Sequence, residues 1–150
     1  MELRPYQREA CDSAWRWLNN NAGNCVICLP TGAGKSLCIA DLCRQALEWG
    51  GRVIVLANRK ELLQQNAEKI HKLIPNVSLG VYSAGLNFRH THHDIIVAGI
   101  QSVFRKAAEL GSRQLVIPDE CHLIPARDEG MYRTFLSDLR AAGNEDLRVI

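Results

Sequence analysis

The chain has 150 residues, of which 47% are hydrophobic and 23% are charged, an ordinary composition for a globular protein of about one domain. Its net charge of +2 permits contact with nucleic acid but does not by itself indicate it. No apolar run approaches the roughly 18 residues that span a bilayer, and the start "MELRPYQREA" has no signal-peptide core, so we expect a cytoplasmic protein.

Helical and strand patterns alternate along the chain. The predicted helices cover residues 7–20, about 30–49, 59–73, 100–110 and 131–142, and the predicted strands cover residues 25–29, 52–57, 77–83, 94–99, 113–117 and 147–150. This alternation predicts an α/β fold with a mostly parallel sheet and helices on both faces. We expect one domain over residues 1–150. Because the chain ends inside a predicted strand rather than in a polar linker, we also expect it to be a fragment of something longer.

The stretch "LPTGAGKS", which ends at Ser36, is the strongest chemical signal. Gly32 and Gly34 have no side chains, so backbone N–H groups can close around an anion at the positive end of the following helix. Lys35 supplies a charge for the β- and γ-phosphates of a nucleotide, and Ser36 supplies a hydroxyl for magnesium. Leu29 stands where the strict GxxxxGK[ST] pattern has glycine, so the match is to the shorter xxTGxGKS variant. The alternative is a chance glycine turn before a helix.

Two adjacent carboxylates, Asp119 and Glu120, follow the apolar run "QLVIP". In P-loop NTPases an acid at the end of a neighbouring strand helps to hold magnesium, which makes Asp119 the candidate magnesium partner. Glu120 is the candidate base that orients or deprotonates the attacking water. The alternative is that both acids cap a helix that begins near Cys121. Pro118 removes a strand N–H beside them, and we expect a local perturbation able to shift Asp119 but no loss of the fold.

Two other clusters suggest metal binding without completing the pattern. Cys25 and Cys28 form a CxxC with no second pair, and we expect the six cysteines to be free, mostly buried thiols. The stretch "RHTHHD" places His92 and His93 next to each other, so that on a strand they would point in opposite directions. A polar surface turn is the favoured interpretation.

In this order and spacing, "LRPYQREA", "PTGAGKS" and "DECH" resemble the first motor domain of superfamily 2 helicases. The match is closest to RadD-type DEAD/DEAH-box proteins and the motors of type I and type III restriction enzymes, and it covers essentially the whole chain. The resemblance implies a RecA-like P-loop NTPase domain that uses ATP and Mg²⁺ and acts on nucleic acid, DNA rather than RNA.

The resemblance also implies what lies outside this chain. In the family, motif III and a second RecA-like domain with an arginine finger follow the position where this chain ends. Because such a finger contributes on the order of 10³–10⁵ in rate, we expect the isolated chain to bind nucleotide, to hydrolyse it weakly or not at all, and not to translocate.

Individual roles follow from the same resemblance. It implies that Gln7 reads the adenine edge, for which an amide can both donate and accept, with Arg4 in support. It also implies that His122 couples the nucleotide state to the second domain. Considered alone, Gln7 would be a solvated helix residue and His122 a hydrogen-bonded residue without a catalytic role. The predicted catalytic residues are Lys35, Asp119, Glu120 and His122; the nucleotide-binding residues are Arg4, Gln7, Thr31, Gly32, Ala33, Gly34, Lys35 and Ser36; the magnesium ligands are Ser36 and Asp119.

The segments "VLANRKELLQQ" and "VAGIQSV" resemble the family's motifs Ia and Ib, which contact the backbone of one nucleic-acid strand. Arginine, small hydroxyls and helix N-termini suit phosphate contacts without sequence readout. The candidates are Arg59, Lys60, Gln101 and Ser102. The alternative for Arg59 and Lys60 is a charged first helical turn that faces water.

The leading hypothesis is therefore the ATP-binding domain of an ATP-dependent DNA helicase or translocase. In the full-length protein, Mg-dependent ATP hydrolysis would drive movement along nucleic acid. The alternatives are a non-catalytic nucleotide- or nucleic-acid-binding remnant and the motor fragment of a restriction enzyme.

Overall fold

A computed structural model describes residues 2–123 and 126–150 of the chain. Within these residues, one six-stranded sheet carries helices on both faces. The helices are α1 (Pro5–Asn20), α2 (Lys35–Glu48), α3 (Lys60–Leu73), α4 (Ile100–Val103) and α5 (Ala126–Ala141), with 3₁₀ turns at Ala107–Leu110 and Cys121–Leu123. The strands are β1 (Val53–Ala57), β2 (Leu79–Ser83), β3 (Phe88–Arg89), β4 (Ile95–Gly99), β5 (Leu115–Pro118) and β6 (Arg148–Val149).

The strand order is β3-β2-β4-β1-β5-β6, and all neighbours are parallel except β2 and β3. In register, Ala57 at the end of β1 lies opposite Gly99 of β4, and Leu56 lies opposite Pro118 of β5. The carboxyl ends of these three central strands therefore meet at one edge of the sheet, which is where ligands bind in open α/β sheets. The predicted α/β fold is confirmed.

The central strand β1 shows why the sheet needs helices on both sides. Its sequence VIVLA is buried at every position. Val53, Val55 and Ala57 belong to the core under α1, α2 and α3, whereas Ile54 and Leu56 belong to the core under α4 and α5. Because successive side chains alternate between the two faces, a strand that is covered on both faces is apolar throughout.

The strand predicted at residues 25–29 is wrong. Among the described residues, its one backbone bond to the sheet runs from the Cys25 N–H to the Val149 carbonyl at 3.2 Å, and the Val149 N–H donates to Asn24 Oδ1 at 3.0 Å. The strand that this bond reaches, β6, has two residues. Val26 is consequently 74% exposed. The apolar sequence is suited to a strand, but this neighbour is too short for a ladder to form.

The helix predicted over residues 100–110 is divided into α4 and a 3₁₀ turn. The buried side chains Ile100, Val103, Ala107 and Leu110 are three or four residues apart, and both kinds of helix satisfy that spacing. The periodicity therefore cannot reveal the break. The short strand β3 was not predicted, because it consists of two exposed residues after a turn at Asn87, whose φ is 59°.

Pro118 ends β5 without interrupting the sheet. The N–H of Asp119 donates to the Leu56 carbonyl of β1 at 2.7 Å, one residue beyond the proline. On the other side, the Val116 carbonyl accepts from the Ile150 N–H at 3.1 Å. Because Pro118 lies two residues after Val116, its missing N–H would face β6, which ends at Val149. The fold survives the proline, as predicted, and β1 anchors the first acid.

The cysteines are free, but only Cys11, Cys38 and Cys43 are buried, while Cys28 and Cys121 are exposed. The expectation of mostly buried thiols thus holds for half of them. Over residues 2–123 and 126–150, every helix is too short or too polar to cross a bilayer.

Candidate functional site

A cleft of about 760 Å³ opens at the carboxyl edge of the sheet. It is lined by the predicted phosphate loop, by the acid pair after β5, and by residues of α1 and α3. Four sequence segments that lie apart along the chain therefore form one concave site. The parallel register of β1 and β5 accounts for the position of the acid pair.

The phosphate loop has the backbone that its glycines permit. Gly32 and Gly34 have φ angles of 80° and 79°, in the left-handed region that favours glycine, and α2 begins at the next residue, Lys35. A Cβ atom on Gly34 would lie 2.4 Å from Nε2 of Gln7, so a side chain here would displace the Gln7 amide from its place against the loop. The first N–H groups of α2 have no partner within the helix and can receive an anion.

Gln7 is bound into the loop. Its side chain is 3% exposed; Nε2 donates to the Ala33 carbonyl at 2.7 Å, and Oε1 accepts from the Arg4 N–H at 2.8 Å. The Tyr6 hydroxyl donates to the same Ala33 carbonyl at 2.9 Å. The interpretation of Gln7 as a solvated helix residue is therefore wrong. Its amide keeps one N–H and one lone pair unused by these bonds, which suits the predicted adenine contact.

The remaining loop residues and Arg4 lie where the sequence predicts a nucleotide. Thr31 and Ala33 line the cleft, and so does Arg4, which is exposed. Their contact with a nucleotide stays a prediction, as does that of Gln7.

Lys35 and Glu120 form the centre of the site. Nζ of Lys35 lies 2.8 Å from Oε1 of Glu120, and Nε2 of His122 lies 3.4 Å from Oε2 of the same carboxylate. The φ of Glu120 is 51°, and the other described non-glycine residues with positive φ are asparagines, which tolerate it better. Strained backbone of this kind occurs at functional sites. Here the positive φ of Glu120 occurs where two successive acids bind different partners, Asn66 for Asp119 and Lys35 for Glu120.

Asp119 is bound from the other side, by α3. Its side chain is largely buried, and Oδ2 accepts from Nδ2 of Asn66 at 2.8 Å. Burial raises the pKa of the Asp119 carboxyl, and the neighbouring Glu120 charge raises it further. Hydrogen bonds from Asn66 and from the Glu120 backbone oppose this rise. The alternative interpretation was that both acids cap a helix. A short 3₁₀ turn does follow them, but the Asp119 side chain is hydrogen-bonded to Asn66 of α3.

The sequence reasoning missed Asn66. A signal for it exists, because the buried positions of α3 are Leu63, Asn66 and Ile70, so one polar residue lies within an apolar stripe. Its partner across the sheet could not be read from that pattern.

The residues present fit magnesium and a nucleoside triphosphate. The hydroxyl of Ser36, at the second position of α2, and the carboxylate of Asp119 line the same cleft, and both are the hard oxygen ligands that Mg²⁺ prefers. Lys35 and the glycine loop supply positive charge and N–H groups for phosphate.

The four predicted nucleic-acid contacts lie at the same sheet edge, outside the cleft. Arg59 and Lys60 begin α3, and Gln101 and Ser102 lie in α4, after the adjacent strands β1 and β4. Gln101 Nε2 donates to the Asn58 carbonyl at 3.4 Å, which joins the two segments. Ser102 Oγ accepts from the Ala84 N–H at 2.9 Å, so it also holds the loop after β2. Contact with nucleic acid stays a prediction.

The histidine stretch is held by its backbone. Arg113 donates to the carbonyls of Thr91, His93 and Asp94, and His92 is exposed on a bend. Nδ1 of His90 accepts from the Val81 N–H at 3.0 Å. Among the described residues, no group of three potential ligands for a metal occurs here or at the CxxC.

The chain is similar in sequence to several known proteins. The family described as "Type III restriction enzyme, res subunit" matches residues 1–142. The mouse ATP-dependent RNA helicase DHX58 is 32% identical over 91% of this chain and 22% of its own length. The DNA 3'-5' helicase XPB of Kineococcus radiotolerans is 31% identical over 83% of this chain and 22% of its own length. The chain thus spans about a fifth of the length of these relatives.

Among solved structures, the UvsW helicase from bacteriophage T4 superposes with a TM-score of 0.73. The match covers 99% of this chain and 51% of that chain at 22% identity. At this identity the likeness concerns the fold, which is that of a RecA-like helicase domain.

Proposed function

The chain belongs to the family of the type III restriction enzyme res subunit and is an N-terminal motor domain of a superfamily 2 helicase; from this premise we propose that it binds ATP with Mg²⁺ in the described cleft. In the full-length protein, ATP hydrolysis by this site drives movement along DNA. The motor belongs to the DEAD/DEAH-box type, with "DECH" as its motif II, works in the cytoplasm and acts with a second motor domain.

The observation that carries the proposal is the contact between Lys35 and Glu120. A glycine loop before a helix binds anions in many proteins, and it needs no carboxylate. Here the carboxylate of Glu120 lies 2.8 Å from Nζ of Lys35, and the adjacent Asp119 lines the same cleft. Binding and hydrolysis of a phosphoanhydride need both groups at one place.

Each residue of the cleft has a separate proposed role. The N–H groups after Gly34 and the ammonium of Lys35 hold the β- and γ-phosphates, and Ser36 and Asp119 hold magnesium. Magnesium supplies charge neutralisation on the phosphate oxygens when it is bound. When Lys35 turns to the phosphates, it leaves the carboxylate of Glu120 free to orient a water and to accept its proton. The proposed role of His122 is to couple the nucleotide state to the second domain, and its contact with Glu120 supports this role.

Gln7 adds selectivity for the base. Because its amide holds the Ala33 carbonyl, a base edge bound to Gln7 is linked through one side chain to the phosphate loop. This geometry supports adenine recognition that is coupled to phosphate binding.

Contacts from Arg59, Lys60, Gln101 and Ser102 would address the phosphate backbone, which DNA and RNA share. DNA is the proposed track because one relative is named a DNA helicase. Another relative is named an RNA helicase, so competition between single-stranded DNA and RNA of the same sequence is the deciding assay. A motor of a restriction enzyme is the second candidate, which the family description favours. Nuclease or methylase sequence beside the gene would distinguish it.

Calorimetric titration with ATP in excess Mg²⁺ tests the site. We expect Lys35→Ala to abolish measurable binding. Lys72→Ala is the matched control, since Lys72 is exposed at the end of α3 and does not line the cleft, and it should bind like the unmodified chain. Unchanged affinity in Lys35→Ala would refute the proposed site.

A further inference from the structure

One polar residue is buried within the apolar stripe of α3. Asn66 is 0% exposed and lies between Leu63 and Ile70, which form part of the core against the sheet. An amide at such a position is unfavourable unless it is hydrogen-bonded. An aliphatic side chain would suit the stripe better, so the presence of asparagine calls for a reason.

The hydrogen bonds of Asn66 are uneven. Nδ2 donates to Asp119 Oδ2 at 2.8 Å, whereas Oδ1 is buried and has no partner among the described residues. The reverse orientation of the amide would place Oδ1 against a carboxylate oxygen, so the nitrogen must face the acid. A buried acceptor without a partner is destabilising. Stability alone therefore does not account for this residue, whereas the bond to Asp119 does.

The bond restricts the carboxylate of Asp119 in a specific way. The backbone of Asp119 is fixed by its N–H bond to Leu56 of β1, and its Oδ2 is fixed by Asn66 of α3. A planar carboxylate that is anchored at both points has one orientation. Asp119 nevertheless lines the cleft, so part of its surface stays available to a ligand.

We propose that Asn66 is a positioning residue for the magnesium site, which holds the Asp119 carboxylate in the orientation that receives the metal. The inference rests on the proposed function, because it assumes that Mg²⁺ and ATP bind in the cleft. Partners that orient a metal-binding carboxylate typically influence metal affinity about 10–100-fold.

The test uses the magnesium enhancement, defined as the ratio of the ATP dissociation constant in EDTA to that in excess Mg²⁺. We expect Asn66→Leu to lower this ratio about tenfold, the smaller end of that range. Its affinity for ATP in EDTA should stay unchanged, because the phosphate loop is intact. The matched control is Asn144→Ala, since Asn144 is also a buried asparagine, bonded to Leu139 and Arg113 away from the cleft, and should leave the ratio unchanged.

A second comparison asks whether Asn66 acts through Asp119. In an Asp119→Asn background, Asn66→Leu should not alter the magnesium enhancement further. If circular dichroism shows that Asn66→Leu is unfolded, Asn66→Ala replaces it in both comparisons. An unchanged ratio in a folded Asn66 variant, or a full additional loss in the Asp119→Asn background, would overturn the inference. Failure of the proposed function would look different, because the unmodified chain itself would then show no magnesium-dependent ATP binding.

Discussion

Replacement of Glu120 by glutamine should tighten ATP binding. In the free protein, Lys35 is paired with Glu120 at 2.8 Å, and their side chains are 27% and 19% exposed. ATP must separate this pair before Lys35 can reach its phosphates. Glutamine has the same shape but no charge, so Glu120→Gln leaves the lysine available and also removes a negative charge beside the triphosphate.

The magnitude follows from the kind of pair. Ion pairs near a protein surface contribute about 0.2–1 kcal/mol, and the partial burial here favours the upper end, about 1 kcal/mol. Since about 1.4 kcal/mol corresponds to tenfold in affinity, the dissociation constant should fall about fivefold. Any hydrolysis in a protein that carries both motor domains should fall by about 10²–10⁴, because the variant lacks the general base.

Calorimetry of the 150-residue chain with ATP and Mg²⁺ measures the change in affinity. Glu109→Gln is the matched control, because Glu109 is an exposed acid in the 3₁₀ turn before β5, outside the cleft, and its loss should not alter binding. Equal or weaker ATP binding by Glu120→Gln would refute the reasoning that Glu120 competes with nucleotide for Lys35.

Two further substitutions test the acid pair and the loop. Burial raises the pKa of Asp119 above its ordinary value of 3.8, so the folded protein binds this proton more tightly than the unfolded chain does. The stability of the fold therefore falls as pH rises from 3.8 through the folded pKa. Asp119→Asn should therefore raise the melting temperature at pH 7 and flatten this pH dependence while it weakens magnesium-dependent ATP binding; a lower melting temperature would contradict the account. Gly34→Ala combines a φ of 79° with a Cβ 2.4 Å from Gln7 Nε2, so it should destabilise the chain by about 1–3 kcal/mol and abolish ATP binding. Urea denaturation and calorimetry measure both effects, and normal ATP affinity in this variant would show that the loop geometry is not required.

Much of the architecture could be predicted because its causes are local. The sequence VIVLA is apolar at every position, which only a strand covered on both faces requires, and β1 is such a strand. The glycines before Lys35 specify a turn that other residues adopt with strain. The strand prediction for residues 25–29 was wrong because its cause is not local. Their apolar pattern is that of a strand, but pairing depends on the length of β6, which lies more than a hundred residues away in the chain.

The predicted site was incomplete because some contacts depend only on tertiary structure. The sequence suggested that Lys35 and Glu120 serve one site, and the structure brings them together. It could not show that Gln7 is buried against Ala33, because a glutamine near the start of an amphipathic helix normally faces water. Asn66 was hidden for the same reason, since its role depends on a strand end 53 positions along the chain.

The central claim is that the phosphate loop and the acid pair form one nucleotide site. Amide chemical shifts of the ¹⁵N-labelled chain, recorded during titration with a non-hydrolysable ATP analogue in Mg²⁺, test it most directly. The account predicts that the largest shifts occur together at Gly32, Gly34 and Lys35 and at Asp119 and Glu120. Shifts confined to other surfaces, or a loop that responds while the acid pair does not, would contradict it.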